Sequence, residues 1–160
     1  MILFHGSSII VSEPCILKPG RTLDYGTGFY TTTSEQQAAD WALRRASAGQ
    51  YGYVNIYELD DAAASSLKRL VFQNPPGEDW VDFVYANRNQ LGFIHDYDLV
   101  YGPVANDRVY AAFALYEQGL LNKQELIAEL KTYRLIDQMV FHTEDALKYL
   151  RFIEAKEVCR

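Results

Sequence analysis

The sequence predicts one domain of the mixed α+β class, with short strands and amphipathic helices distributed along the whole chain. Three observations carry this expectation. The chain has 160 residues, enough for one core and short for two. Hydrophobic residues make up 49% of it, the share expected of a globular protein. Short runs rich in aromatic and β-branched residues alternate irregularly with segments of helical periodicity, and no repeat, low-complexity tract or linker divides them.

Taken in order, Ile2–His5 reads as a first strand. Residues 8–22 contain Pro14, Pro19 and Gly20 and read as an extended connection. Phe29–Thr32 is the next strand, rich in aromatic and β-branched residues. Ser34, with Gln37 three residues later, forms a capping-box pattern that opens a helix. On that helix Ala38, Trp41, Ala42 and Arg45 share a face, and Gly49 and Gly52 end it. Tyr53–Leu59 alternates as a strand and Leu67–Phe72 is a second short apolar run. After Pro75-Pro76-Gly77, Glu78 and Asp79 place acids at a helix N-terminus, where the helix dipole favours them. Trp80, Phe83 and Val84 give this helix its apolar stripe.

The second half continues the pattern. Tyr97–Tyr101 reads as a strand ending at Gly102-Pro103, and Val109–Glu117 as a helix stopped by Gly119. Asn122 and Glu125 form a capping box before Leu126, Ile127 and Leu130. Met139–Phe141 is a short strand, Thr143 caps a last helix over Glu144–Leu150, and Phe152-Ile153 adds an edge strand.

Composition narrows the function classes. The net charge of −6 and a pI near 5.0 oppose nonspecific nucleic-acid binding, which needs a basic footprint. Local basic pairs remain at Arg44-Arg45 and Lys68-Arg69. Cys15 and Cys159 lack metal-ligand spacing, and two isolated thiols suit a reducing cytoplasm. The N-terminal strand carries no basic, apolar leader pattern, and no apolar run is long enough to span a bilayer. These observations set the expectation of a cytoplasmic protein without membrane or metal. His95 and His142 lie near carboxylates without HExxH spacing and read as structural.

Two stretches stand out chemically. Met1–Ser8 is an apolar run ending in His5-Gly6-Ser7, where a glycine leaves the main chain open to close approach. Tyr25–Thr33 is a glycine-punctuated aromatic segment in which Gly26 and Gly28 precede Tyr30. Gly26-x-Gly28 is not a Rossmann fingerprint, because the third glycine and the strand–helix context are absent.

His5-Gly6-Ser7, then Gly26-x-Gly28-Phe29-Tyr30, then a helix with Ala38 and Trp41, resembles the NAD-binding half of the ADP-ribosyltransferases. The likeness is to the histidine–tyrosine–glutamate branch that includes diphtheria toxin and the poly-ADP-ribose polymerases. More narrowly, nearly the whole chain is similar to a bacterial family of small ADP-ribosyltransferase-like proteins. The phrases that carry this are Gly28–Thr32, Tyr101–Asp107 and Gln138–Thr143.

The resemblance implies a split β-sheet core with flanking helices and NAD as a substrate. It implies an NAD-dependent mono-ADP-ribosyltransferase of toxin or effector type, acting on an unknown protein or nucleic-acid acceptor. By the same resemblance His5 and Ser7 contact ribose hydroxyls, the Gly6 main chain pairs with the nicotinamide amide, and Tyr30 lies against the nicotinamide ring. Trp41, eleven residues after Tyr30, is either the aromatic that closes the other ring face or a core anchor. The polymerases carry a hydroxyl that bonds the amide where this chain has Ala38.

The larger departure is at the catalytic glutamate, whose place is taken by Gln138. Either side chain can hold the ribose 2′-hydroxyl, but only glutamate brings a charge. A unit charge at about 4 Å and an effective dielectric of about 20 is worth roughly 4 kcal/mol, or three orders of magnitude in rate. Asp137 is the neighbouring acid, on the opposite face of the strand. The competing readings are therefore a transferase adapted to glutamine, a catalytically inactive NAD- or ADP-ribose-binding module, and a structural partner-binding domain. Asn106, Asp107 and Arg108 stand either as acceptor or pyrophosphate contacts or as a turn with a helix cap.

Overall fold

The computed structural model describes residues 1–17, 23–47, 50–90, 92–104 and 107–159. In chain order the strands are β1 (Ile2–Ser7), β2 (Phe29–Thr31), β3 (Gly52–Leu59), β4 (Arg69–Val71), β5 (Leu99–Pro103), β6 (Asp137–Phe141) and β7 (Leu150–Val158). The helices are α1 (Glu35–Arg45), α2 (Glu78–Asn89), α3 (Asp107–Glu117), α4 (Lys123–Leu130) and α5 (Glu144–Leu147), with a 3₁₀ turn at Ala63–Ser66. Pro19, Gly20, Gly49 and Asn106 lie outside the described residues.

The strands form two sheets, one ordered β1-β3-β7 and one ordered β2-β6-β5-β4. All pairings are antiparallel except β4 with β5. The fold is therefore α+β with two sheets and, among the described residues, five α-helices.

Burial follows position in the sheet. β3 lies between β1 and β7, so six of its eight residues are buried and both faces are covered, which fits its near-continuous Val54-Asn55-Ile56-Tyr57 run. β7 is an edge strand and only Leu150 in it is buried. It is much longer than the Phe152-Ile153 fragment expected, because pairing to β3 organises residues whose own pattern is polar. β5 ends at Gly102-Pro103 as expected, with the pair still inside the strand, opposite Gln138 and Asp137.

Local caps form as their residue types dictate. Ser34 accepts from the Gln37 amide, but its own amide donates to the Thr32 hydroxyl oxygen at 3.1 Å, so only half of the expected box is made. Thr143 accepts from the Ala146 amide, and Asn122 with Glu125 completes a reciprocal capping box. Helices α2 to α4 cover the second sheet with a core that includes Trp80, Val84, Val109, Phe113, Leu126 and Val140. Trp80 is fully buried and its Nε1 donates to the Tyr25 hydroxyl at 2.7 Å. That hydroxyl donates in turn to the Pro103 carbonyl at 2.8 Å. The opposite side of the sheets holds a second cluster with Leu3, Phe29, Tyr57, Met139 and Phe141.

Helix α1 packs on β1 and β3 through Ala38 and Ala42, not through Trp41. The reason is Gly6. A Cβ there would lie 2.0 Å from the Ala38 carbonyl oxygen and 2.8 Å from the Ala42 nitrogen. Main chain touches main chain, and only the smallest side chains fit between. Trp41 is 37% exposed, so it is not the core anchor that one of its two readings required.

Candidate site at the split between the sheets

The two sheets meet at one isolated bridge, where Phe4 and Thr32 exchange main-chain hydrogen bonds of 2.8 and 3.0 Å. Strand alternation turns the N–H and C=O of Gly6 to the same side as those of Phe4. In a continuous ladder the next partner would be Tyr30. Instead the Tyr30 carbonyl accepts from His5 Nδ1 at 2.7 Å, and the strands part.

A carbonyl only accepts, so His5 carries its proton on Nδ1 and the neutral ring keeps a lone pair on Nε2. Burial lowers the His5 pKa first of all. The bond to Tyr30 works against this, and the positive charge of Arg45 adds to it. His5 thus stays neutral, with Nε2 an acceptor for a hydroxyl. Its ring lies on Phe29, centroids 4.5 Å apart, on the opposite pleat face from the Tyr30 side chain.

The Tyr30 ring packs against the core beneath α2 to α4. Its hydroxyl donates to the Gly26 carbonyl at 2.7 Å and accepts from the Tyr25 amide at 3.3 Å. Gly26 has φ of +79°, a conformation that tightens the turn under the tyrosine. Burial pushes the Tyr30 pKa upward, and the nearby Asp24 carboxylate adds to that, so the phenol stays protonated. Ser7 is half-buried and its Oγ accepts from the Ile9 amide at 3.3 Å, which turns the chain after β1.

Gln138 lies on β6 beside Gly102, two positions from Val140, which pairs with Tyr30. Alternation puts Gln138 and Tyr30 on one face, at diagonal positions. Gln138 is 5% exposed, and its Nε2 is buried without a hydrogen-bond partner. Burial raises the pKa of the neighbouring Tyr25 hydroxyl, and the Trp80 and Gln138 side chains beside it work against this. Asp137 faces the other way. It accepts from the Thr32 hydroxyl at 3.2 Å, the Thr33 amide at 2.8 Å, the Tyr101 hydroxyl at 3.1 Å and the Thr33 hydroxyl. With these donors around it, Asp137 fixes the β2–α1 junction to β6.

Three further residues shape the split, of which Asn55 and Asp24 had not stood out in the sequence and Arg45 had done so only as half of a basic pair and as part of a helix face. Asn55 is fully buried in β3, with Nδ2 donating to the carbonyls of His5 and Ile9 and Oδ1 accepting from the Val11 amide. It fastens residues 8–11 behind the His5-Gly6-Ser7 segment, and a lone amide inside an apolar strand was the signal. Asp24 is buried and pairs with Arg88 at 3.9 Å. Arg45 stacks over the Trp41 ring, 5.3 Å from its centroid.

Asp107 opens α3 and Arg108 follows it, exposed. His142 donates from Nδ1 to the Thr27 carbonyl at 2.7 Å, and its ring meets that of His95 edge-on with centroids 4.5 Å apart. No cluster of three or more His, Cys, Asp or Glu suited to a metal ion occurs among the described residues. No helix among them is long and apolar enough to cross a membrane.

No curated protein and no solved structure matches this chain. One family model does, and its description is Protein of unknown function (DUF3990). The match runs over residues 1–152, from β1 into the start of β7, and so includes the whole second sheet, β1 and β3 of the first, and every residue of the split described above. The chain belongs to the DUF3990 family.

Proposed function

We propose that this domain is an NAD-dependent mono-ADP-ribosyltransferase with its dinucleotide site at the split between the sheets. The observation that supports it best is the His5–Gly6–Tyr30 arrangement. A neutral histidine presents a free acceptor, and beside it the Gly6 main chain offers a donor and an acceptor at an unanswered strand edge. A carboxamide such as that of nicotinamide has the complementary donor–acceptor pair. Cleavage of the nicotinamide–ribose bond passes through an oxocarbenium-like ribose, so gripping both ends of the substrate supplies much of the catalysis. Gln138, on the Tyr30 face, is the group that would hold the ribose 2′-hydroxyl, and its unpaired Nε2 fits a role as donor.

A second reading is a catalytically inactive NAD- or ADP-ribose-binding module. It is favoured by the absence of charge at Gln138 and by its 5% exposure. Both readings are tested by incubating the purified protein with NAD, with and without cell lysate, and measuring free nicotinamide and thermal stability. Ligand at a hundred times its Kd adds about 2.7 kcal/mol, a rise in Tm on the order of 5–10 °C. Nicotinamide release together with this rise supports the transferase. The rise alone supports the binding module, and neither result at millimolar NAD refutes both.

A further inference from the structure

Helix α1 overhangs the split on one flank only. Ala38 and Ala42 rest on β1 and β3, Ala39 joins the same cluster, and Glu35, on the Ala39 side of the helix, pairs with Lys156 of β7 at 2.7 Å. Successive helix residues are turned by about 100°. Trp41 and Arg45, one turn apart, therefore occupy the opposite flank, facing the free side of β1 where Gly6 and Tyr30 separate. The proximity of Arg45 to His5 agrees with this, since its charge is felt by the imidazole.

Arg45 forms no ion pair among the described residues, in a chain whose net charge is −6. Its guanidinium lies over an aromatic ring, 5.3 Å from the centroid, and not against a carboxylate. Arg44 and Arg45 both sit in the last turn of α1 and both complement the helix dipole. That role does not distinguish them; the stacking and the position at the split do.

We propose that Arg45, held over Trp41 at the lip of the split, binds the diphosphate of a dinucleotide or of ADP-ribose. This rests on the reading of the split as an NAD site. A planar guanidinium forms paired hydrogen bonds to phosphate oxygens, and a side chain already stacked loses less freedom on binding. The diphosphate lies midway along NAD, as Arg45 lies beside the His5–Gly6 segment.

The test is titration of the full chain with ADP-ribose, ADP and nicotinamide, followed by calorimetry and tryptophan fluorescence. Wild type is compared with Arg45→Gln, Arg45→Lys and Arg44→Gln. Removing one charged phosphate contact should weaken ADP-ribose and ADP by about tenfold to a hundredfold in Arg45→Gln. Arg45→Lys should recover part of this, and nicotinamide affinity should not change. Arg44→Gln should lose no more than about twofold, the effect of a distant screened charge.

Equal affinity of Arg45→Gln and wild type for ADP-ribose overturns the proposal, as does an equal loss in Arg44→Gln or a wild type that binds neither ADP nor ADP-ribose. The transferase reading is judged separately by nicotinamide release. Loss of ADP-ribose binding in Arg45→Gln without release from NAD by wild type keeps the anion site and removes the enzyme. Undiminished release in Arg45→Gln keeps the enzyme and removes the anion site.

Discussion

His5 and Tyr30 meet through an imidazole N–H and a main-chain carbonyl, 2.7 Å apart, and not through their rings. The bond stands where a strand-to-strand hydrogen bond would otherwise be, so the histidine both ends the ladder and holds the gap at a fixed width. His5→Ala removes that tie and a stacked ring, and should lower stability by about 1–2 kcal/mol. Chemical denaturation measures this, with unchanged stability counting against the tie. Loss of NAD binding in the variant is informative only beyond that structural effect.

Gly6→Ala should be the most damaging glycine-to-alanine change among the described residues. The added carbon meets the main chain of α1, which cannot rotate aside as a side chain can. A loss of roughly 3 kcal/mol or more is expected, visible as a large fall in Tm or as insoluble protein. A variant that melts within a degree or two of wild type would show that α1 is not seated on β1.

The two tryptophans should behave oppositely. Trp80→Phe removes the donor to a buried phenol and leaves a void, for a loss of about 2–4 kcal/mol. Trp41→Phe, at an exposed position, should change stability by less than about 1 kcal/mol. If Trp41 also faces nicotinamide, NAD should quench its emission while Trp80 stays constant. Quenching that survives in Trp41→Phe would exclude that role.

Which parts of this were legible in the sequence follows from the range of the forces involved. Caps at Ser34, Asn122 and Thr143 depend on residues three positions away, and the sequence contains both partners. The buried face of α1 does not. Read alone, the helix groups Ala38 and Ala42 with Trp41 and Arg45 on one face; the choice of the two alanines as the contact is made by Gly6, thirty-two residues before Ala38. His5 and Tyr30 stood out as a pair through likeness to a known site, but the bond joining them depends on where β1 and β2 diverge. The burial of Gln138 and the tying of Asp137 to Thr33 and Tyr101 depend on register between distant strands, which residue type alone does not encode.

Asp137→Ala should lower stability by about 2–4 kcal/mol, because it strands the Thr33 amide and three hydroxyls at once. Asp137→Asn, which keeps one acceptor oxygen, should lose less. Hydrogen exchange at the first turn of α1 would localise the effect. Equal stability of both variants and wild type would remove Asp137 as the clasp of the β2–α1 junction.

Acid should weaken the fold before its carboxylates titrate. Burial lowers the His142 pKa to about 4, the bond to Thr27 works against this, and His95 adds to the lowering while Asp98 opposes it. A depressed histidine pKa means that the unfolded chain binds the proton more readily. The stability concerned is therefore fully present above about pH 6.5 and lost as pH falls toward 4, by up to about 3 kcal/mol. Thermal melts at pH 7 and 5 should differ accordingly, and His142→Gln should flatten the difference. An unaltered slope in the variant would exonerate this histidine.

Gln138→Glu tests the core as well as the chemistry. A carboxyl at a position only 5% exposed, with no cation bonded there, should have a raised pKa. The variant should match wild type at pH 4–5 and lose stability as pH rises through that raised value. A stable variant at pH 8 with faster nicotinamide release would mean that the carboxylate reaches solvent or substrate.

The interleaving of the two sheets has a consequence for dissecting the domain. One sheet takes its strands from residues 2–7, 52–59 and 150–158, the other from 29–31, 69–71, 99–103 and 137–141. Any cut between residues 32 and 136 separates β1 from β7 and β2 from β6, so no half-length fragment retains a complete sheet. Half-length pieces should therefore stay unfolded alone. Folding should wait on contacts between the ends of this segment, making it slow for its size and all-or-none in character.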